Sequence, residues 1–328
     1  MEPLHLIAKT VVRVQPPYRF DLTAAAYSFP WQFDGHRLLL ASWEEGLATV
    51  AEVGPQQEEW LPISIYANVQ LSGRELRRMV QDLVFGIGAK EDLTSFYRKI
   101  RNDPLLRDVV NRFHGMHMRA RPDLWEALII AILNQNTSFV RGWSMIANLY
   151  ASLGHRLLLP DGRKTIALPR PGEVLEAGPS ALKKCGVGYR AQTLIAVAEA
   201  LEQDQIQTGH LRRASDHKAL EELLSIRGIG AYSASLALLI AHRRYRMLPI
   251  DRWLTRIIPH FYHIPKPVLT RKELDEFATR RWGNWRGLSV FFMTIVTEAR
   301  TARELLGQRK PLSRLTPLTL WQRLPATS

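Results

Sequence analysis

The sequence predicts an α+β chain, an N-terminal antiparallel β-sheet domain followed by an all-helical core. Three observations predict it. Short β-branched runs broken by Gly and Pro fill the first part of the chain, and helical spacing takes over from about Asp92. A glycine-rich reversal, Gly228–Ile229–Gly230, then joins two strongly helical stretches. We divide the 328 residues into an N-terminal domain (1–105), a helical core (106–308) and a C-terminal tail (309–328).

Thr10–Val14, Arg37–Ser42, Leu47–Val53 and Leu61–Val69 are the strand candidates, punctuated by Gly35, Gly46, Gly54 and Pro55. In the last of them Ile63, Ile65, Ala67 and Val69 fall at every second position, as a half-buried strand requires. Leu76 to Leu83 has helical spacing. In the core, Asp123 stands where it can cap a helix running through Trp125, Leu128, Ile129 and Ile132. A second helix runs through Leu194, Ile195, Val197, Ala198 and Leu201, and the Pro-containing stretch Leu159 to Pro179 between them reads as an irregular connection. The tail after Gln308 is polar and basic, and reads as loosely attached.

Composition narrows the function classes. Lys and Arg number 44 against 31 Asp and Glu, a formal charge of +13 that favours a polyanionic partner, nucleic acid above all. One cysteine, Cys185, excludes an internal disulfide and any four-cysteine zinc or iron–sulfur site. No uncharged run reaches the roughly 18 to 20 residues of a membrane span, and residues 1–20 lack a signal-peptide core. We therefore expect an intracellular, nucleoid-associated protein without a membrane.

The informative stretch is Ala219 to Tyr262. One helix ends at Ser225–Ile226, the chain reverses through Arg227–Gly228–Ile229–Gly230, and a second helix runs from Ala231 to Ile240. Two glycines allow a tight turn with no Cβ between backbone and ligand, and the second helix begins with free N–H groups suited to a phosphate. Ile229 would plug the turn into the core. Asp251 precedes another amphipathic run (Leu254, Ile257, Ile258, Phe261), where it can act as an N-cap, as a reactive carboxylate, or as both. Arg227, Arg243, Arg244 and Arg246 are the candidate phosphate contacts, or part of a solvated basic face.

The pattern Leu-x-x-Ile-x-Gly-Ile-Gly-x-x-x-Ala-x-x-x-Leu, from Leu223 to Leu238, resembles the hairpin of the helix-hairpin-helix (HhH-GPD) DNA glycosylases. Asp251 stands where that family carries its catalytic aspartate. The resemblance implies a base-excision repair enzyme acting, as a monomer, on double-stranded DNA that contains a damaged base. It implies that Asp251 stabilises positive charge on the deoxyribose while an extruded base leaves. It also implies Asn136 as a wedge and Gln135 as a contact to the orphaned base, with a helix terminus rich in capping residues as the plainer account of both. Leu182 to Ala191 looks like the family's Gly-hydrophobic-Gly-Tyr-Arg-Ala segment. Phe20–Thr23 and Ser28–Trp31 look like the domain that precedes the core in the alkylpurine and 8-oxoguanine branches.

Tyr232 stands where bifunctional relatives carry a Schiff-base lysine, which implies a monofunctional hydrolase. The 8-oxoguanine branch's pocket glycine, glutamine and phenylalanine map to Ala26, Val290 and Thr294. The alkylpurine branch fits better, helped by Trp282–Gly283–Asn284–Trp285–Arg286, although those tryptophans are equally well core residues. Tyr232, Trp253 and Leu236 are the expected lesion pocket, with Tyr232 as a stacking partner or an ordinary core residue. The resemblance suggests no cofactor beyond a monovalent cation on hairpin carbonyls, and no metal held by side chains. The reading is a monofunctional glycosylase for alkylated or deaminated purines. The alternatives are a bifunctional 8-oxoguanine glycosylase/lyase and a non-catalytic helix-hairpin-helix DNA-binding protein.

Overall fold

The computed structural model describes residues 2–299 and 315–324. Four antiparallel strands form the N-terminal sheet: β1 (His5–Arg13), β2 (Leu38–Glu44), β3 (Leu47–Val53) and β4 (Trp60–Ala67), in the order β1-β4-β3-β2. Helix α1 (Phe20–Ala25) lies between β1 and β2. Alternation sets the faces. Leu61, Ile63 and Ile65 share one core with Phe20, Phe33 and the apolar side of α2 (Gly73–Ile87), which is capped at Ser72 by a capping box with Glu75. Val69 falls outside β4 and is exposed, so that strand ends one alternation early.

The helical part begins with α3 (Thr94–Ile100) and α4 (Arg107–Arg112). Helix α5 (Leu124–Leu133) is capped by Asp123, whose side chain accepts from the Trp125 N–H at 2.9 Å. Eight of its ten residues are buried, as expected of a helix apolar all round, and it packs against α6 (Phe139–Leu153) and two later helices.

The core is not all helical. Residues read as irregular fold in part into a hairpin, β5 (His155–Leu158) with β6 (Lys164–Ala167). The hairpin lies on the outer face of the sheet, where Leu157, Leu159 and Ala167 pack with Leu39, Ala48 and Val50. The run Leu157–Leu159 is short, and its partner surface comes from a sheet a hundred residues away, so local pattern does not announce it. Helix α7 (Pro171–Lys184) follows, kinked at Gly178–Pro179, and then α8 (Arg190–Glu202), α9 (Thr208–Arg213) and α10 (Asp216–Leu224). Past the glycine turn come α11 (Ala231–His242), α12 (Leu254–Phe261), α13 (Arg271–Trp282) and α14 (Arg286–Ala299). Helix α11 lies against α5 and α10.

The tail also corrects its reading. Residues 315–324 are docked: Pro317 O accepts from the Tyr27 N–H at 2.7 Å, and Leu320, in the short helix α15 (Leu320–Arg323), is buried. Trp321 meets Phe33 edge to face, with its ring 3.2 Å from where a Cβ on Gly35 would stand. The remainder of the expected tail lies outside the described residues.

Candidate active site

The hairpin is built by steric exclusion. Gly228 has φ +88°, and a Cβ there would come within 2.2 Å of Thr193 Oγ1 on α8. Ile229 is buried, and its N–H donates to Ile226 O at 3.1 Å, which closes the turn. Gly230 differs. A Cβ there would meet nothing within 4 Å, so the interior does not demand glycine at that position. It lines the outer cleft and caps the N-terminus of α11, where free N–H groups begin.

Two connected cavities meet beyond the hairpin. The outer cleft, about 740 Å³, runs between the α5–α6 turn on one side and Gly230, Asp251 and Trp253 on the other. The inner pocket, about 370 Å³, lies under it among α11, α14 and the residues following α1. Asn134, Thr137, Ser138, Tyr232, Asp251 and Trp253 line both. Helix α11 sends Tyr232, Leu236 and Ile240 into the pocket wall at i, i+4 and i+8, one face of a helix.

Asp251 sits just before α12. Its carboxylate accepts from the Leu254 N–H at 2.7 Å, so the capping contact is present. Its side chain also lines both cavities. Burial pushes its pKa upward, against the opposing pull of backbone N–H groups at Leu254 and Trp253 and of Arg271. Burial, then the Asp251 charge, also raises the Tyr232 phenol, which therefore stays neutral at neutral pH.

Across the cleft, Gln135 and Asn136 form the α5–α6 turn. Asn136 is exposed at its tip with φ +47°, a left-handed conformation that asparagine tolerates. The Gln135 carbonyl accepts from Arg190 Nη2, and Arg190 also stacks its guanidinium 4.6 Å from the Tyr189 ring. The Gly-Val-Gly-Tyr-Arg segment thus braces the turn.

The arginine assignments need correction. Arg227 is exposed in the hairpin. Arg243, in contrast, is an internal tie: it donates to Phe85 O, Gly86 O and Tyr245 Oη and pairs with Glu91 at 2.9 Å. Arg244 pairs with Asp216 at 2.8 Å and donates to the Leu211 and Ala214 carbonyls. A helix C-terminus offers unsatisfied carbonyls, and these side chains reach them before solvent does. Arg246 is exposed but lines a separate hollow with Asn284 and Trp285. The cleft is instead bordered by Arg252, Arg256 and Arg271. Their spacing on and around α12 and α13 was the available signal.

Sequence reasoning also missed an aromatic wall. Tyr27 has φ +55°, and its ring lies 5.2 Å from Trp143, 5.8 Å from Phe291 and 6.2 Å from Phe139. Its hydroxyl is 2.5 Å from Thr294 Oγ1. All five residues line the inner pocket, as do Ala26 and Val290. Trp282 and Trp285 have core roles: Trp282 Nε1 donates to buried Asp103 at 3.1 Å, and Trp285 packs on Phe96 and Tyr245.

Among the described residues, no group of three or more His, Cys, Asp or Glu could hold a metal ion, and no helix is long and apolar enough to cross a membrane. Residues 129–282 match the family model described as HhH-GPD superfamily base excision DNA repair protein. A DNA-3-methyladenine glycosylase of Bacillus subtilis is 24% identical over 207 residues, 62% of this chain and 66% of that protein. The solved 3-methyladenine DNA-glycosylase of Archaeoglobus fulgidus superposes with a TM-score of 0.75 at 21% identity, covering 89% of this chain and 99% of its own. The 8-oxoguanine glycosylase/lyase of Clostridium acetobutylicum superposes with a TM-score of 0.69 at 19% identity, covering 90% and 99%. At these identities the likeness to the solved structures is one of fold.

Proposed function

We propose that the chain, whose residues 129–282 match the HhH-GPD superfamily of base excision DNA repair proteins, is a member of that superfamily and a monofunctional DNA glycosylase for alkylated or deaminated purines. The observation that carries the reading is that Asp251 stands where the outer cleft, bordered by Gln135, Asn136, Arg252, Arg256 and Arg271, meets an aromatic pocket. The cleft suits duplex DNA and the pocket an extruded base, so the sugar joining them would lie against Asp251.

The chemistry follows from that placement. The C1′–N bond breaks with its electron pair leaving on the base, and positive charge builds on the deoxyribose. A carboxylate held in a partly dry site stabilises that charge more strongly than one in water. Water then adds at C1′ and gives up a proton, which neutralises the departing anion of a deaminated purine or passes to solvent when a cationic alkylpurine leaves as a neutral base, and an abasic site remains. Asp251 is oriented for this by the Leu254 N–H. Asn136 would occupy the space vacated in the stack and Gln135 the orphaned partner, with Arg190 steadying both.

Strand cleavage by Schiff-base chemistry needs an amine near C1′. Tyr232 holds the hairpin-proximal position, and among the described residues no lysine lines the cleft or the pocket. That supports a monofunctional hydrolase over a lyase. The protein would act as a monomer on duplex DNA, with Arg227, Arg252, Arg256 and Arg271 available to phosphates. A monovalent cation on the hairpin carbonyls belongs to the same reading, and a potassium-dependent rise in duplex affinity would test it.

The deciding experiment is base release from duplexes carrying single lesions, worked up with and without alkali. Release with strand breaks only after alkali is expected. Strand breaks without alkali would favour the lyase, and tight binding without release from any lesion would favour a binding protein.

A further inference from the structure

The inner pocket contains a charged group that the proposed chemistry does not use. Arg119 lies on the segment before α5, is almost fully buried and lines the pocket wall. A guanidinium has five N–H donors. The two on Nη2 are engaged, with Ala26 O at 2.9 Å and Ser28 Oγ at 2.7 Å. Nε and Nη1 are buried and have no partner among the described residues, so three donors are left over.

A buried guanidinium in this state is costly. Among the described residues no carboxylate bonds it: Glu126, whose charge acts on it, is held by Arg121 at 2.9 Å. Burial first, and then the neighbouring Arg121 charge, pull the Arg119 pKa down, a sign that its surroundings disfavour the cation. Deep orphaned donors persist when a ligand or ordered water completes them, and this one stands in the wall of the proposed base pocket. Its bonds to the backbone at Ala26 and to Ser28 fix it beside Tyr27, on the aromatic wall.

We propose that Arg119 reads the acceptor edge of the extruded base, so that the site prefers a neutral oxo-purine such as hypoxanthine to a cationic alkylated adenine. This rests on the glycosylase reading and narrows its substrate class. Hypoxanthine offers O6 and N7 as acceptors, whereas 3-methyladenine carries an amino donor at C6 and a positive charge that a nearby buried guanidinium repels. Among the described residues lining the pocket Asp251 is the one acid, and the glycosylase reading assigns it to the sugar.

The test measures hypoxanthine release from an inosine duplex and 3-methyladenine release from dimethyl-sulfate-treated DNA, for wild type and Arg119→Met. A charge-assisted hydrogen bond corresponds to about 10- to 100-fold. Arg119→Met should lower hypoxanthine release by about that factor relative to 3-methyladenine release. A parallel fall in both, or no change in their ratio, would overturn the proposal and leave Arg119 as a structural tie. Should the variant not fold, wild-type affinity decides. A duplex carrying 2′-fluoro-deoxyinosine should bind at least about tenfold more tightly than one carrying the 2′-fluoro nucleotide of unsubstituted purine, which lacks O6. Equal affinities would overturn it. Failure of the wild type to release any base would instead sink the glycosylase reading itself.

Discussion

Asp251→Asn should move activity and stability in opposite directions. The substitution removes the charge but keeps an oxygen able to accept the Leu254 N–H, so the start of α12 should survive. The loss in rate can be sized from electrostatics. Unit charges about 4 Å apart at an effective dielectric of about 20 interact by about 4 kcal/mol. At about 1.4 kcal/mol per tenfold, that is roughly a thousandfold in single-turnover base release.

Stability runs the other way. Burial raises the folded-state pKa of Asp251 above its unfolded value, so protonation favours the folded state. The stability linked to that proton is fully present below the unfolded pKa and is lost as pH rises through the folded one. At neutral pH the wild type therefore carries the cost of a desolvated carboxylate, which asparagine lacks. Thermal unfolding should show Asp251→Asn equal to or above the wild type near about pH 7, with the difference closing toward about pH 4. Affinity for a duplex carrying an abasic-site analogue should persist. Activity within about tenfold of wild type would refute the catalytic role. A variant less stable than wild type at neutral pH would refute the account of the carboxylate as desolvated, and leave Asp251 chiefly a cap.

Other substitutions separate structure from recognition. Gly228→Ala should destabilise by at least about 1–3 kcal/mol in denaturant titrations, since it meets a left-handed φ and Thr193 together. Gly230→Ala should leave stability unchanged and weaken duplex binding, because its open side faces the cleft. Arg243→Met should destabilise by about 3–5 kcal/mol by leaving Glu91 with a broken buried pair, without changing the salt dependence of DNA binding. Arg271→Ala should do the reverse, lowering the slope of log affinity against log salt by about 1 with little effect on unfolding. Arg190→Ala should weaken binding to lesion-bearing duplex more than to undamaged duplex, as the Gln135–Asn136 turn loses its brace.

The half of the candidate site that holds the proposed catalytic carboxylate was legible in the sequence as local structure. Hairpin, helix α11 and Asp251 lie within a single run of the chain, and each is marked by a residue type whose backbone preference is strong: Gly228 by its φ, Asp251 by its capping geometry. The sheet was legible for the same reason, since a period of two shows in Ile63, Ile65 and Ala67. Arg243 and Arg244 were misread because net charge says how many cations a surface carries and nothing about which carbonyls lie within their reach. Arg243 finds Phe85 and Gly86 on a helix more than 150 residues away.

The pocket that would select the base is non-local by construction. Its wall draws Tyr27 from the turn after α1, Arg119 from the segment before α5, Trp143 from α6, Phe291 and Thr294 from α14 and Pro317 from the tail. None of these is distinctive where it stands, because an apolar or aromatic residue at helical spacing reads as core. What distinguishes them is the company the fold gives them: a tyrosine at φ +55° bonded to Thr294, and a guanidinium with donors left over. On the proposed reading, chemistry is therefore written in one short segment, and specificity in contacts among at least five. If that reading holds, substitutions at Tyr27, Arg119 or Thr294 should redirect which base is released without touching the carboxylate proposed to break the bond, which base-release assays on single-lesion duplexes would check.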